Sequence, residues 1–359
     1  MVVINFGEPE GDPGNPGRVS VAAAEAYLKR IFLQNVDLEQ HENEAAVRRA
    51  EHLARMRAPG LVEDYALIGG SPLNRQSDEQ ARTLERELRG RSWDVKAYSA
   101  FQFTPPFISD AVRSAKEDGV EILVALPVYP LCGASTTVAA LRSIRETLEA
   151  EAWSPRFMGM GGWHHHPGYR SARVDHIRGY LERQGLDLND PDTLLYFSVH
   201  GTPLKYLNEG NRYDRYVEEH CRDIARGLGA ERYGVGFQNH TNRKIEWTQP
   251  DNEDLIPTLQ ERRLVVVPIS FMHEQSETLA ELDHEVRTLV EGLGKEFYRV
   301  PVPFDDPRFA RFLADLVAQL VAAGAGDHTG LLTPCRCDPH ATTWCTNGAR
   351  DLPPSPYAP

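Results

Sequence analysis

Short apolar runs alternate with longer amphipathic segments along most of the chain, and this alternation restricts the fold more than any other feature. Apolar runs of about four to eight residues predict buried strands, and the longer segments predict helices. Strands separated by helices form βαβ units and parallel sheets. The predicted strands are 2–6, 65–69, 95–101, 121–129, 156–160, 193–199, 233–238, 264–271 and 297–302. The predicted helices include 77–90, 107–118, 136–151, 168–183, 213–229, 277–293 and 307–323.

The strands fall into two sets separated by a break near residues 150–155, and a chain of 359 residues is long enough for two domains. The runs do not alternate strictly between apolar and polar residues, which is typical of sheets covered by helices on both faces. We therefore expect an α/β fold with two similar doubly wound, Rossmann-like domains, residues 1–150 and 151–325. Residues 326–359 contain three of the five cysteines but no helical periodicity, and are expected to form a short C-terminal extension.

Composition and the absence of certain motifs disfavour several classes of protein. The formal net charge of −13 disfavours a nucleic-acid partner. No apolar run approaches the ~20 residues that span a bilayer, and the start MVVINFGEP lacks the basic region of a signal peptide, so we expect a cytoplasmic protein. No strand is followed by GxGxxG or GxxxxGK[ST], which disfavours a nucleotide-binding enzyme. The odd number of cysteines argues against a disulfide framework.

A histidine follows the predicted strand 193–199, in the motif SVHGTP. Ligands of open α/β sheets bind outside the carboxyl ends of the strands, so His200 lies where a site is expected. A histidine there can be a structural residue, a solvated turn residue, a metal ligand or a proton carrier. Because an unperturbed imidazole has a pKa of about 6.5, it can act as a ligand or a base near neutral pH.

A row of carboxylates follows another strand, 264–271. Glu277, Glu281 and Glu285 are four residues apart, which places them on one stripe of a helix that starts near Ser276. The row is either the solvated face of an amphipathic helix or a path for divalent cations or protons. Like charges at this spacing each cost about 0.2–0.5 kcal/mol, and the row begins where a cleft is expected. Those two points favour the path.

Five motifs occur in an order and spacing that identify a family. Together they resemble the ferrochelatases, the enzymes that insert ferrous iron into a porphyrin, over roughly residues 2–325. This resemblance implies two similar α/β domains with a porphyrin cleft between them. The motifs are NFGEP (5–9), GGSPLNRQ (69–76), SVHGTPLKYLNEGNRY (198–213), FQ with a downstream Trp-x-x-Pro (237–250) and PISFMHEQSETLAELDHE (268–285).

The resemblance also implies the roles of the polar residues. The essential histidine of the family falls on His200 and its essential glutamate on Glu277. They are expected to face each other across the macrocycle, to handle the iron and to accept the two pyrrole protons that metallation releases. Glu281 and Glu285 are expected to form a relay to solvent. Which residue holds iron and which takes protons is left open.

Six further residues are expected to contact the porphyrin, and two of them depart from the pattern of the family. Phe6 stands where some relatives carry a Tyr or Met close to the iron, and Gln102 stands where many carry an Arg. Lys29 and Arg30 can supply substitute positive charge or belong to a solvated helix face. The six residues are Phe6, Ser71, Pro72, Gln102, Tyr129 and Trp247, the last of which can also be purely structural.

Many ferrochelatases carry a two-iron two-sulfur cluster, held by three C-terminal cysteines and one from the middle of the chain. An iron–sulfur cluster of this type needs four ligands, usually cysteines. A zinc site that includes His340, or a tail of reduced thiols, would explain the same cysteines. The four expected ligands here are Cys132, Cys335, Cys337 and Cys345.

The expected function is therefore that of a ferrochelatase acting on coproporphyrin III or protoporphyrin IX in haem biosynthesis, with the choice left open. The alternatives are a non-catalytic haem-binding protein and a chelatase for cobalt or nickel on the same fold. The expected partners are the porphyrin, ferrous iron and a protein that receives the haem. Peripheral membrane contact through Leu28, Ile31 and Phe32 competes with a buried helix face as the role of these residues.

Overall fold

The computed structural model describes residues 1–36, 44–239, 245–323, 333–334, 337–340, 342–347, 352–353 and 355. The strands are β1 (Val2–Asn5), β2 (Tyr98–Phe101), β3 (Ile122–Pro127), β4 (Arg156–Met160), β5 (Thr193–His200), β6 (Tyr233–Gln238), β7 (Arg263–Pro268), β8 (Glu296–Arg299), β9 (Thr333–Pro334) and β10 (Thr343–Cys345).

The helices occupy most of the segments between the strands. The α-helices are α1 (Val21–Val36), α2 (Glu44–Ile68), α3 (Leu73–Gly90), α4 (Ile108–Glu117), α5 (Ala139–Ala150), α6 (Pro167–Gln184), α7 (Leu204–Asn208), α8 (Tyr213–Leu228), α9 (Asn252–Leu255), α10 (Arg287–Gly292) and α11 (Pro307–Ala323). Two π-helices, Ala134–Val138 and Glu277–Val286, and a 3₁₀ turn, Ile256–Thr258, complete the set.

The strands form two sheets, as the alternation of strands and helices predicts. The first has the order β2-β1-β3-β4-β10-β9, and the second has the order β6-β5-β7-β8. Every pair is parallel except β9 with β10, which is antiparallel. The predicted α/β class with two parallel-sheet domains is confirmed.

The division of the chain between the two sheets differs from the boundary expected at residues 150 and 151. β4 pairs with β3, so residues 156–160 belong to the first sheet. The last long helix, α11, also returns to that sheet, where Phe309 and Phe312 pack in one apolar cluster with Val3 and Leu84. The second sheet is therefore formed by the part of the chain between β4 and α11. The C-terminal extension adds β10 beside β4.

One predicted strand, 65–69, is wrong, because it lies at the end of helix α2. Tyr65 is fully buried, and its neighbours in the apolar cluster against α1 include Ala58, Leu61 and Val62. This spacing of i, i+3, i+4 and i+7 is that of a helix, which a five-residue window cannot reveal. Leu28 belongs to the same cluster, as its alternative role as a buried helix face predicts. Among the described residues, no helix is both long and apolar enough to cross a membrane.

Candidate active site

The centre of the site lies where two neighbouring strands of the second sheet end. His200 is the last residue of β5, and Glu277 follows the end of β7, which pairs with β5. The His200 Nδ1 and Glu277 Oε1 atoms are 2.9 Å apart. These residues were expected to face each other across the macrocycle, and in the structure their side chains contact each other directly. Glu277 is the first residue of the π-helix that follows β7, and this turn brings its carboxylate to the imidazole at the end of β5.

The ionisation of His200 depends on that contact. Burial alone would lower the pKa of the imidazole, but the charge of Glu277 and its hydrogen bond outweigh burial, and the pKa is raised above 6.5. The charge of Glu281 raises it further. The backbone amide of His200 donates to Ser270 Oγ at 3.1 Å, and the Tyr213 hydroxyl donates to its carbonyl at 2.9 Å. The imidazole therefore sits on a fixed backbone and favours its protonated form.

The carboxylate row lies on a π-helix, Glu277–Val286, rather than on the predicted α-helix. Hydrogen bonds from i to i+5 widen the helix, and such segments frequently occur at functional sites. Residues four apart still project from one side of a π-helix, so the predicted stripe persists. The wider turn carries the row away from His200 and toward the surface.

Glu281 is the second carboxylate of the row, and its ionisation is strongly perturbed. Burial and then the negative charge of Glu277 raise its pKa from 4.5 to about 8. Gln238, at the end of β6, donates from Nε2 to Glu281 Oε2 and to the Glu277 carbonyl oxygen, both at 3.0 Å. Ser198 Oγ donates in turn to Gln238 Oε1 at 3.0 Å. Near neutral pH, Glu281 can therefore both bind and release a proton.

Glu285 is the outer end of the row and is exposed to solvent. Partial burial raises its pKa, and the charges of Asp64 on α2 and Glu253 on α9 add to that effect. The three predicted carboxylates therefore do form one row, from the imidazole contact to the surface.

Aromatic side chains of the first domain form a wall of the site near the start of the π-helix. The Phe6 ring lies 4.5 Å from the Phe103 ring and 6.4 Å from the Tyr27 ring, measured between centroids. Burial raises the pKa of the Tyr27 hydroxyl, and the charges of Glu8 and Glu277 raise it further, which places Tyr27 close to both carboxylates. The end of β1 and the start of the π-helix therefore meet at one site.

Gln102 and Tyr129 pair with each other beside this wall. The Tyr129 hydroxyl donates to Gln102 Oε1 at 2.7 Å, and Gln102 Nε2 donates to the Ser135 carbonyl at 3.1 Å. Gln102 also lines a cavity of about 380 Å³ together with Arg30 and Gln34 of α1. The Arg30 guanidinium lies 4.8 Å from the centroid of the Phe107 ring. Lys29, in contrast, is paired with Glu51 at 2.8 Å.

The remaining predicted porphyrin contacts have different surroundings. Ser71 donates a hydrogen bond to the buried carboxylate of Glu8, and Pro72 directly precedes α3. Trp247 is partly buried and forms a β-bridge with Pro203, in the turn after His200. Ser71 therefore contacts Glu8 in the loop after β1, while Trp247 contacts the turn that follows His200.

Glu8 and Gln238 are polar residues of the site that are not among the predicted site residues. Both stand inside motifs of the family resemblance, NFGEP and the FQ of residues 237–238. Their positions at the ends of β1 and β6 were the available signal, since strand ends are where polar side chains meet. Their partners lie far away in sequence and could not be identified from it.

Three of the four predicted cluster ligands lie in the described ranges, and all three lie near Tyr216. Burial raises the pKa of the Tyr216 hydroxyl, and the charges of Cys337, Cys132 and Cys345 raise it further. The Tyr216 oxygen lies 3.1 Å from Cys337 Sγ. Cys335 lies outside the described residues.

The backbone between β4 and α6 leaves room for two of these cysteines. A Cβ atom added to Gly161 would lie 2.8 Å from Cys345 Cβ, and one added to Gly162 would lie 2.9 Å from Cys132 Cβ. Only glycines permit this approach. None of the four cysteines within the described ranges forms a disulfide. In those same ranges, no three His, Cys, Asp or Glu side chains group closely enough to hold a metal ion.

Comparisons with known proteins show the family to which this chain belongs. The family profile named Ferrochelatase matches residues 1–321. A ferrochelatase from Synechococcus sp. (strain RCC307) is 36% identical over 75% of this chain and 71% of its own length. One from Thermosynechococcus vestitus is 35% identical over 76% of this chain and 71% of its own. The solved structure titled SirB from Bacillus subtilis with Fe3+ covers 68% of this chain and 91% of its own, at 13% identity and a TM-score of 0.49. The sequence matches carry the assignment: the chain belongs to the ferrochelatase family.

Proposed function

We propose that this protein inserts Fe²⁺ into a porphyrin at the His200–Glu277 pair, as a ferrochelatase of haem biosynthesis. The observation that carries the proposal is the 2.9 Å contact between an imidazole and a carboxylate at the head of a carboxylate row. Metallation replaces two pyrrole N–H protons by one Fe²⁺, so a site for it must accept two protons and admit a divalent cation. A histidine and carboxylates can do both.

In this proposal, the protonation of His200 sets the order of events. The raised pKa of His200 favours a protonated imidazole beside Glu277. A protonated imidazole has no lone pair for a metal or for a pyrrole proton, so this proton must leave first. The neutral imidazole then accepts the two pyrrole protons one after the other and passes the first along the carboxylate row before the second arrives. Glu277 stabilises the positive charge that returns to the ring each time.

Glu281 and Glu285 carry the protons onward. With a pKa raised to about 8, Glu281 exchanges protons at neutral pH without a large energetic penalty in either direction. Gln238 holds its carboxylate in place through the 3.0 Å hydrogen bond. Glu285, which is exposed, passes the protons to water.

We propose that the macrocycle lies between the aromatic wall of the first domain and the His200 turn. Phe6, Ser71, Pro72, Tyr129 and Trp247 surround that space. No oxygen or sulfur ligand comes from position 6, because a phenylalanine stands there. In this proposal, the iron is handled by His200 and Glu277 of the second domain.

The propionates of the porphyrin would be bound by the pocket at Gln102. Gln102 is uncharged and is already paired with Tyr129 at 2.7 Å, so it can position a carboxylate but not neutralise it. Arg30, which lines the same cavity of about 380 Å³, is the nearby positive charge. Coproporphyrin III has four propionates and protoporphyrin IX has two, so the number of charges met here would distinguish the two substrates.

We also propose that the predicted cysteines hold a two-iron two-sulfur cluster. The close approach of Gly161 and Gly162 to Cys345 and Cys132 supports this, as does the position of Cys337 beside Tyr216. His340 is exposed and its Nδ1 lies 2.9 Å from Thr342 Oγ1, which favours the cluster over a zinc site that includes it. When bound, the cluster would tie the C-terminal extension to the body of the protein. The ligands would be Cys132, Cys335, Cys337 and Cys345.

The test is anaerobic Fe²⁺ insertion, followed by absorbance, with coproporphyrin III and protoporphyrin IX in parallel. We expect turnover of one porphyrin, its loss in His200→Ala, and unchanged turnover in His52→Ala, an exposed histidine on α2. Tight haem binding without turnover of either porphyrin would refute the proposal in favour of a haem-binding protein. Insertion of cobalt or nickel but not iron would favour the other chelatase. No observation on the described residues favours either alternative.

A further inference from the structure

A buried carboxylate lies beside the site but is absent from the proposed chemistry. Glu8 follows β1 in the motif NFGEP, and only 4% of its surface is exposed. A buried carboxylate is costly unless hydrogen-bond donors or positive charges surround it. Burial raises the pKa of Glu8, and hydrogen bonds from Ser276 and Ser71 oppose that effect. The burial of this carboxylate therefore implies a structural or positioning role for Glu8.

The contacts of Glu8 join the two domains. Its Oε1 atom accepts a hydrogen bond from Ser276 Oγ at 2.5 Å, and its Oε2 atom accepts from the Ser276 backbone amide at 3.3 Å. Oε2 also accepts from the Ser71 hydroxyl. On the first domain's side, Asn74 clamps the Glu8 backbone: the Glu8 amide donates to Asn74 Oδ1 at 3.0 Å, and Asn74 Nδ2 donates to the Glu8 carbonyl at 2.9 Å.

The residue that Glu8 holds is the one before Glu277. Ser276 is at the N-terminal end of the π-helix and has helical backbone angles, φ −53° and ψ −43°. Its side chain does not cap the helix. The first amides of a helix lack internal acceptors and favour a negative charge nearby. Glu8 supplies both an acceptor and a charge, from the other domain.

Glu8 itself is not placed to react with the porphyrin. Both carboxylate oxygens already accept hydrogen bonds, and the side chain is almost completely buried. A second contact supports the same segment, because the Glu274 amide donates to Gln76 Oε1 of α3 at 2.8 Å. The first domain therefore holds the segment before Glu277 through two contacts, Glu8 with Ser276 and Gln76 with Glu274.

We propose that Glu8 is a positioning residue of the chelatase reaction: it fixes the first turn of the π-helix so that Glu277 stays in contact with His200. This inference rests on the proposed function. Loss of the Glu8 acceptor would release Ser276, and Glu277 would lose its orientation. A misplacement of about 1 Å can cost up to about 100-fold in rate.

The experiment compares Glu8→Ala and Glu8→Gln with wild type, with Glu10→Gln as a matched control. Glu10 is the exposed carboxylate two residues further on. We expect Glu8→Ala to lower kcat by about 10- to 100-fold, with KM for the porphyrin within twofold of wild type. Glu8→Gln keeps one acceptor oxygen and is expected to recover most of that loss. Glu10→Gln is expected to match wild type.

Ser276→Ala removes only the hydroxyl that donates to Glu8. This variant tests the positioning role of Glu8 even if Glu8→Ala does not fold. We expect it to lower kcat several-fold alone, and to add little in the Glu8→Ala background, since both of these changes break the same contact. Wild-type kcat in Glu8→Ala, fully additive losses, or a rise in KM with unchanged kcat would each overturn the inference. If wild type itself turns over neither porphyrin, the proposed function fails instead.

Discussion

Replacing Glu281 by Gln should make the protein more stable and less active. The Glu281 pKa is raised from 4.5 to about 8, so the folded state resists ionisation of a group that ionises freely in the unfolded chain. The unfolded state therefore binds fewer protons between these pH values, and stability falls as pH rises from 4.5 to about 8. Each pH unit costs about 1.4 kcal/mol, which sets an upper value of about 3 kcal/mol at pH 7.

The expected gain is smaller, since Glu281 is partly exposed and water screens its charge. We expect Glu281→Gln to raise the free energy of unfolding by about 1 to 2 kcal/mol at pH 7.5 and by almost nothing at pH 4.5. Gln keeps the shape of the side chain and an oxygen that can accept from Gln238. It cannot carry a proton, so kcat should fall by about 10-fold or more.

The assay is denaturant unfolding of wild type and Glu281→Gln at pH 4.5, 6 and 7.5, beside iron insertion at pH 7.5. Glu291→Gln is the control, because Glu291 is an exposed carboxylate further along the same helical segment. An equal stability difference at all three pH values would refute the reasoning, as would no gain at pH 7.5. Full activity in Glu281→Gln would exclude it from the proton relay.

Two further predictions concern the histidine and the cysteines. In Glu277→Gln, the attraction that raises the His200 pKa is lost while burial, which lowers it, remains. The acid limb of kcat/KM should therefore move to lower pH, and an unchanged limb would contradict the proposed pair. Cys337→Ser should abolish the visible absorbance and the reduced-state electron paramagnetic resonance signal of a two-iron two-sulfur cluster. Cys221→Ala, at a buried helix position, should keep both signals. Wild-type protein without bound iron and sulfide after anaerobic purification would contradict the cluster.

The sequence determined the local structure and the types of residue at the site. Apolar runs and helical spacings predicted the parallel α/β fold, because burial of a strand or a helix stripe leaves a periodic pattern in the residues. The strand-end rule then placed His200, and four-residue spacing placed Glu277, Glu281 and Glu285 in one row. These inferences depend on neighbours in the chain, and the structure brings the four residues together.

Only the tertiary structure decided which residues meet across the fold. Glu8 and Ser276 are 268 positions apart, and Gln238 reaches Glu281 over 43 positions. No periodicity encodes such pairs, because they follow from how the two sheets pack. The same holds for β4, which joined the first sheet through β3, and for β10, which extends that sheet from the far end of the chain. The distance between His200 and Glu277 belongs to this group as well, since it is set by the spacing of β5 and β7 and by the first turn of the π-helix.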